Sequence, residues 1–163
     1  MSDRPEPVHP NGRAPLWLEL EVEDFRCAVP VERVREVVRS AALEPVEDAP
    51  PGVCGTAISQ GQRVPVIDLG ERFGLDRGRS GGGRILVTRA AERWFGLRVD
   101  RVNGVISVSR SAIQRMPREV LTPQSQYFAG AVLDEGDESD GDEWLILLDV
   151  DQLLVATPQR IGR

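Results

Sequence analysis

Lysine is missing: all 20 basic residues among the 163 are arginine. A Walker-type phosphate loop needs a lysine to reach the phosphates, so that nucleotide chemistry is excluded. The plain explanation of the arginine bias is a GC-rich genome. Histidine occurs once, as His9, among the prolines of the first fifteen residues. One histidine and two separated cysteines cannot supply an ordinary four-ligand zinc set. Cys27 and Cys54 each sit in an apolar, strand-like run, where a thiol behaves as a small hydrophobe. Their number alone permits a disulfide. No signal-peptide pattern is present, so reduced thiols and a cytoplasmic location are the expectation. No apolar run reaches membrane-spanning length, so no direct membrane insertion is expected. A basic excess is missing too. The 26 acidic residues outnumber the arginines, giving a net charge of −6 and a pI near 4.9. Nucleic acid, which requires cations against phosphate, is excluded as a partner.

What the chain does have is valine at strand-like spacing, and an echo. In "PVERVREVV" (30–38), Val31, Val34, Val37 and Val38 carry a helical spacing. Their β-branching favours a pleated surface instead. A similar stretch, "RVDRVNGVI" (98–106), contains Asn103-Gly104, which would weaken a helix. Both stretches therefore predict a strand, a tight turn near Val31 to Arg33, and a second strand. Two more echoes keep the order: "CGTAIS" (54–59) with "AGAVLD" (129–134), and "VPVIDL" (64–69) with "LILLDV" (145–150). The offsets grow from 68 to 75 to 81 (99 − 31, 129 − 54, 145 − 64). Two similar halves in tandem, with small insertions in the second, account for this.

The remaining strands are expected at 16–22, 25–29, 52–59, 62–69, 84–89, 93–99, 102–108, 127–133 and 143–149. A helical turn is expected at 70–73, and a helix from Val150. The chain is long enough to bury roughly 70% of its unfolded surface without staples. Short strands and frequent turn signals predict barrels or a sandwich. "GRSGGGR" (78–84) is a linker between the halves, not a phosphate cradle. The run "DEGDESDGDE" (134–143) lacks the calcium-loop pattern, with glycine at position 6 and acids at 1, 3 and 5. It is expected to be a solvated hairpin loop, since burying seven acids would be prohibitive. Asp68 and Asp149 end equivalent strands before helical turns. Acidic pairs can do acid–base work, but capping is the expectation here. No cofactor is expected. The residues alone describe an acidic, all-β binding module without catalytic equipment; a small all-β ligand-binding protein or enzyme is the alternative of another class.

The ordered set "FRCAVPVERVREVV", "APPGVCG", "GQRVPVIDLGERFGL", "GLRVDRVNGVISV", "YFAGAVLDE" and "WLILLDVDQLL" resembles the CheW family, the coupling proteins of bacterial chemosensory arrays. The resemblance implies two intertwined five-stranded SH3-like β-barrels around a common core, with a short C-terminal helix. It implies a first barrel over about 16–76 and a second over about 83–155, with strand exchange, between tails at 1–15 and 156–163. It implies a non-enzymatic adaptor that binds the cytoplasmic tip of methyl-accepting chemoreceptors and the regulatory domain of a CheA-type histidine kinase, with other CheW-like proteins as further partners. Carried over by motif, the protein-binding positions are Val31, Val34, Glu36, Val37, Gln60, Val102 and Val105. Strand alternation places roughly half of the valines in the core. One stretch departs from the family pattern. Where the family has Asn-Leu-Arg-Gly, this chain has Ile58-Ser59-Gln60-Gly61. The family arginine, which pairs with the glutamate matching Glu36, is here Gln60. Arg35 or Arg63 takes its place, or the ion pair is gone. An accessory array component with weak or no kinase coupling is the corresponding alternative function.

Overall fold

The computed structural model describes residues 14–50, 52–75, 83–116, 125–135 and 142–155. Residues 1–13 of the expected 1–15 tail, the expected tail at 156–163 and most of the expected linker lie outside them. Among the described residues, ten strands form two five-stranded sheets. The first half supplies β1 (Leu16–Val22), β2 (Phe25–Pro30), β3 (Val34–Arg39), β4 (Val53–Ser59) and β5 (Gln62–Asp68), then α1 (Leu69–Arg72). The second supplies β6 (Arg84–Ala90), β7 (Arg93–Val99), β8 (Arg101–Ser107), β9 (Phe128–Glu135) and β10 (Asp142–Leu148), then α2 (Val150–Val155).

The sheet orders are β8-β1-β2-β10-β9 and β3-β6-β7-β5-β4. Each sheet takes strands from both halves, so the β1–β2 hairpin of one half completes the sheet of the other. Beyond β3, a 3₁₀ turn (Ser40–Ala42) leads to Glu44, which exchanges 2.8 Å hydrogen bonds with Thr56 on β4. Gln114 does the same with Ala131 on β9. These bridges close each sheet toward a barrel. The molecule is thus all-β, with two intertwined SH3-like barrels and two short helices.

Register carries the internal repeat residue by residue. Val34 lies opposite Thr88, and Val102 opposite Leu20. Val37 lies opposite Leu86, and Val105 opposite Leu18. Every one of these pairs maps onto its counterpart by the 68-residue offset. The parallel pairings Val66 with Gly96 and Leu147 with Ala28 obey the offsets 81 and 68 together. Asp68 and Asp149 also play one part twice. Asp68 accepts from the Glu71 N–H at 3.0 Å and Asp149 from the Gln152 N–H at 3.2 Å, capping the two helices. Each cap satisfies a backbone donor that the helix leaves without an internal partner.

Strand alternation sorts the apolar side chains into three clusters. Alternate residues of both sheets, among them Leu18, Leu20, Leu86, Phe95, Leu97 and Leu148, meet in one large core between the barrels. The opposite faces fill the two barrel interiors: Ala57, Val64, Val66 and Ile85 in one, Ala28, Leu145 and Leu147 in the other. Cys27 is fully buried in the shared core; Cys54 is half-buried beside a barrel interior, and both thiols are free. Burial pushes the Cys27 thiol far up and the Cys54 thiol up to about 11, so neither carries a thiolate at neutral pH.

The expectation for residues 134–143 needs correction. Strand β9 continues through Glu135 and β10 begins at Asp142, leaving 136–141 outside the described residues. Asp134 and Glu143 are not merely solvated. They face each other across the hairpin and both accept from the Arg26 guanidinium, at 2.9 and 3.2 Å. An arginine on the neighbouring β2 gives these acids a partner that a linear run cannot reveal.

Candidate functional site

Val31 opens a 3₁₀ turn (Val31–Arg33) between β2 and β3. Arg33 fixes that turn by a two-pronged contact to Asp151 on α2, at 2.9 and 3.1 Å, and a 3.0 Å bond to the Arg89 carbonyl. A β-bulge follows: register skips Arg35 between Val34 and Glu36. The bulge resets side-chain alternation, because two residues stand opposite one. Val34 and Val37 thereby share a face, while Glu36 and Val38 take the other. The same bulge recurs at Asn103, placing Val102 and Val105 together.

Val31, Val34 and Val102 are partly buried and pack against the shared core. Val37 and Val105 are further out, 40% and 57% exposed. Their cross-strand neighbours Leu86 and Leu18 both belong to the shared core. The apolar face between the barrels therefore emerges at two equivalent points, one on each barrel. Three of the five sequence-derived valines are core-packed; because the bulges put Val34 with Val37 and Val102 with Val105 on one face, position along the strand and not alternation separates buried from exposed. Of the remaining members, Glu36 belongs to a polar cluster on one barrel, and Gln60 lies at the turn that follows Ser59 of that cluster.

In that cluster the Ser59 hydroxyl, buried at the end of β4, donates to the Glu36 carboxylate. Arg35 in turn donates to Ser59 Oγ at 2.9 Å, and its guanidinium lies 3.9 Å from the centre of the Trp94 ring. Stacking on an aromatic face suits the planar guanidinium. Of the two candidate substitutes for the family arginine, Arg35 reaches Glu36 through Ser59. Arg63 points elsewhere, bonding Glu44 at 2.6 Å and Thr56 at 3.1 Å. Gln60 is exposed at the β4–β5 turn with φ +49°, followed by Gly61 at +76°. Positive φ at both central positions is the geometry of a tight hairpin turn whose twist matches the strands.

The other barrel replaces these groups at equivalent positions. Where Trp94 stands, it has Arg26, and where Ser59 stands, Asp134. Arg26 also binds Glu19 through two nitrogens, at 3.2 and 3.0 Å. Asn103, the bulge residue matching Arg35, donates to Glu19 and Glu21 at 2.8 and 2.9 Å. Sequence reasoning missed Arg26, Ser59 and Trp94. The offsets would have flagged all three, because they mark where the repeat is chemically unequal.

Burial would push the Glu19 carboxyl up, but hydrogen bonds from Arg26 and Asn103 outweigh it and hold the group below the usual carboxylate range. The Arg26 guanidinium is held strongly in its charged form, chiefly by Glu19. A depressed folded-state pKa stabilises the protein above the unfolded value, and that contribution fades as pH falls through the folded one. Replacing Arg26 by glutamine should destabilise the protein by about 1.5–3 kcal/mol at pH 7, the range for hydrogen bonds to charged groups. The gap between wild type and variant should narrow as the pH is lowered from 7 to 3. Urea unfolding across that range measures it; a gap that does not depend on pH would mean that Glu19 is not held by Arg26.

The described residues thus form a double barrel with two equivalent apolar outcrops and no cluster of three or more metal-binding side chains. A family model described as a CheW-like domain matches residues 17–157, and the chain belongs to that family. It is 27% identical over 125 residues to a chemotaxis protein CheW of Treponema pallidum, covering 74% of this chain and 70% of that one. Protein FrzA of Myxococcus xanthus is 28% identical over 146 residues, with 85% and 84% covered. The crystal structure of the scaffolding protein TtCheW from Thermoanaerobacter tengcongensis superposes with a TM-score of 0.71 at 25% identity, covering 86% of this chain and 92% of that one. The chain is thus a CheW-like domain and not an enzyme. No helix among its described residues is long and apolar enough to cross a membrane.

Proposed function

We propose that this protein is a cytoplasmic adaptor of a chemosensory array, linking the cytoplasmic tips of methyl-accepting chemoreceptors to the regulatory domain of a CheA-type kinase. The observation that carries this reading is the pair Val37 and Val105, exposed at equivalent points beside the core-packed Val31, Val34 and Val102. An amphipathic helical hairpin can lay its apolar stripe over such a face. Glu36, on the opposite face of β3, is braced by Ser59 and Arg35. Other CheW-like domains are further partners in this reading.

Substituting both Val37 and Val105 by aspartate should weaken binding to a receptor-tip fragment by at least about 100-fold, because two apolar contacts become desolvated charges. Stability should change little, since both side chains are substantially exposed. Isothermal titration against the receptor fragment, with unfolding curves in parallel, tests this. Unchanged affinity in a folded variant would remove the assignment of this face.

A second reading, an accessory component with weak kinase coupling, is favoured by Gln60 in the Ile58-Ser59-Gln60-Gly61 turn. Gln60→Arg should alter stability by less than about 1 kcal/mol, the scale of an exposed pair. Under this second reading it raises affinity for the kinase domain, and the gain vanishes in Gln60→Arg/Glu36→Ala. No gain would mean that Arg35 and Ser59 already fulfil the missing arginine's role.

A further inference from the structure

The end of β1, the β1–β2 turn, β2, β9 and β10 line an open cleft of about 610 Å³ on the first sheet. Phe25, Phe128 and Trp144 line it, each only partly buried, with Ile146 beneath. Phe128 is held edge-on to Phe73 of the shared core at 5.5 Å, and Phe73 edge-on to Phe25 at 5.9 Å. This floor is therefore anchored to the interior. The rim is acidic, with Glu21, Asp24 and Glu143. Arg26, the cation of the wall, is already shared among Glu19, Asp134 and Glu143.

The repeat supplies an internal comparison. At the positions equivalent to Glu21, Phe25 and Trp144, the other sheet has Arg89, Arg93 and Arg63. Position 146 corresponds to Pro65, which is exposed. The aromatic floor and the rim acids Glu21 and Glu143 are thus features of one barrel only, and the fold does not require them; Asp24 alone is matched by an acid, Glu92. The cavity lies where the β1–β2 turn meets β9 and β10; its Glu21 stands opposite Arg101 at the start of β8, whereas Val105 stands opposite Leu18, further along β1.

We propose that this cleft docks a cationic amphipathic segment of a partner protein, an arginine or lysine beside a large apolar side chain. The apolar side chain enters against Phe25, Phe128 and Trp144, while the cation meets Glu21, Asp24 and Glu143. Cation–π contact with the aromatic rings adds to that attraction. A cavity of this volume has the size of a ligand pocket and takes a few side chains. A second folded copy would need roughly 800 Å² on each partner, which suits a broad face better than a cleft. The site is separate from the receptor face proposed above.

The test uses the full chain and a synthetic hexapeptide, acetyl-Arg-Leu-Arg-Phe-Arg-Leu-amide, followed by tryptophan fluorescence with calorimetry. Its charge-reversed glutamate counterpart serves as control. Saturable binding of the arginine peptide is expected, weakening as salt is raised, with no binding of the glutamate peptide. Glu21→Gln/Asp24→Asn should lower the affinity at least tenfold. Glu47→Gln/Asp48→Asn, equally neutralising but outside the cleft, should not, and neither should Val37→Asp/Val105→Asp. Phe25→Leu, which keeps an apolar core neighbour for Phe73, should also weaken binding. Several results overturn the proposal: no binding, equal binding of the two peptides, or equal effects of the two neutralising variants. Two more identify another occupant and overturn it as well. Binding that appears only after deletion of residues 157–163 assigns the cleft to the chain's own terminus. Self-association at low salt that excludes the peptide, and is lost on replacing Arg63, Arg89 and Arg93 by glutamine, assigns it to a second copy.

Discussion

Phe95→Ala should lower the unfolding free energy by about 3–5 kcal/mol, and both barrels should still unfold together. Phe95 is fully buried on β7, in the centre of one sheet, and faces the core that both sheets share. Its loss leaves a cavity between the barrels rather than inside one of them. Strand exchange makes partial unfolding unavailable, because detaching either half removes two or three strands from each sheet. Ile85→Val, in the small interior of one barrel, should cost only about 0.5–1.5 kcal/mol. Urea unfolding followed by tryptophan fluorescence and by far-ultraviolet circular dichroism measures both effects. Trp17 and Trp94 pack against different barrel interiors and report on each barrel. Separate transitions for the two signals would show that the barrels are independent units and that the shared core does not couple them.

The second large effect is expected at Asp68. Asp68→Ala should cost about 3–5 kcal/mol, whereas Asp149→Ala, at the equivalent position, should cost about 1 kcal/mol. Both carboxylates cap a helix, so the repeat alone predicts equal effects. Their surroundings differ. Asp68 is 2% exposed and lies 3.6 Å from the Arg98 guanidinium on the adjacent β7. Removing it takes that carboxylate contact from an arginine that is itself largely buried. Asp149 caps from a half-buried position, and on β2 Arg98 is matched by Pro30. Asp68→Asn separates the contributions, since the amide can still accept from Glu71 N–H but carries no charge. Its cost should lie between those of the two alanine variants. Equal unfolding midpoints for Asp68→Ala and Asp149→Ala would refute the buried-charge argument.

Much of the fold was legible in particular residues. Val34 and Val102 proved to be register equivalents, as the 68-residue echo requires. The strands fell within a residue or two of the alternation and turn signals. Gln60-Gly61 was readable as a hairpin turn because glycine and a polar residue tolerate positive φ. The functional face was only partly legible. Val31, Val34 and Val37 are spaced by three, a period that fits a helix better than a strand. In the folded chain a 3₁₀ turn and a β-bulge convert that spacing into one strand face. The pattern was visible in the sequence, but its cause was not.

The amino-acid sequence by itself determined that the chain is acidic and all-β, that it is built on an internal repeat, and that it has no nucleotide loop. These properties depend on residue types and on spacing along one strand or turn, which a linear chain displays directly. Only the tertiary structure decided which strands pair, and hence which charges meet. Arg26 lies 108 residues from Asp134, and Arg33 lies 118 residues from Asp151, yet each pair is in direct contact. Likewise, Val34 is held in the core while Val37 emerges from it. Burial depends on what the other half of the chain places above a side chain, and the exchange of hairpins between halves sets that placement.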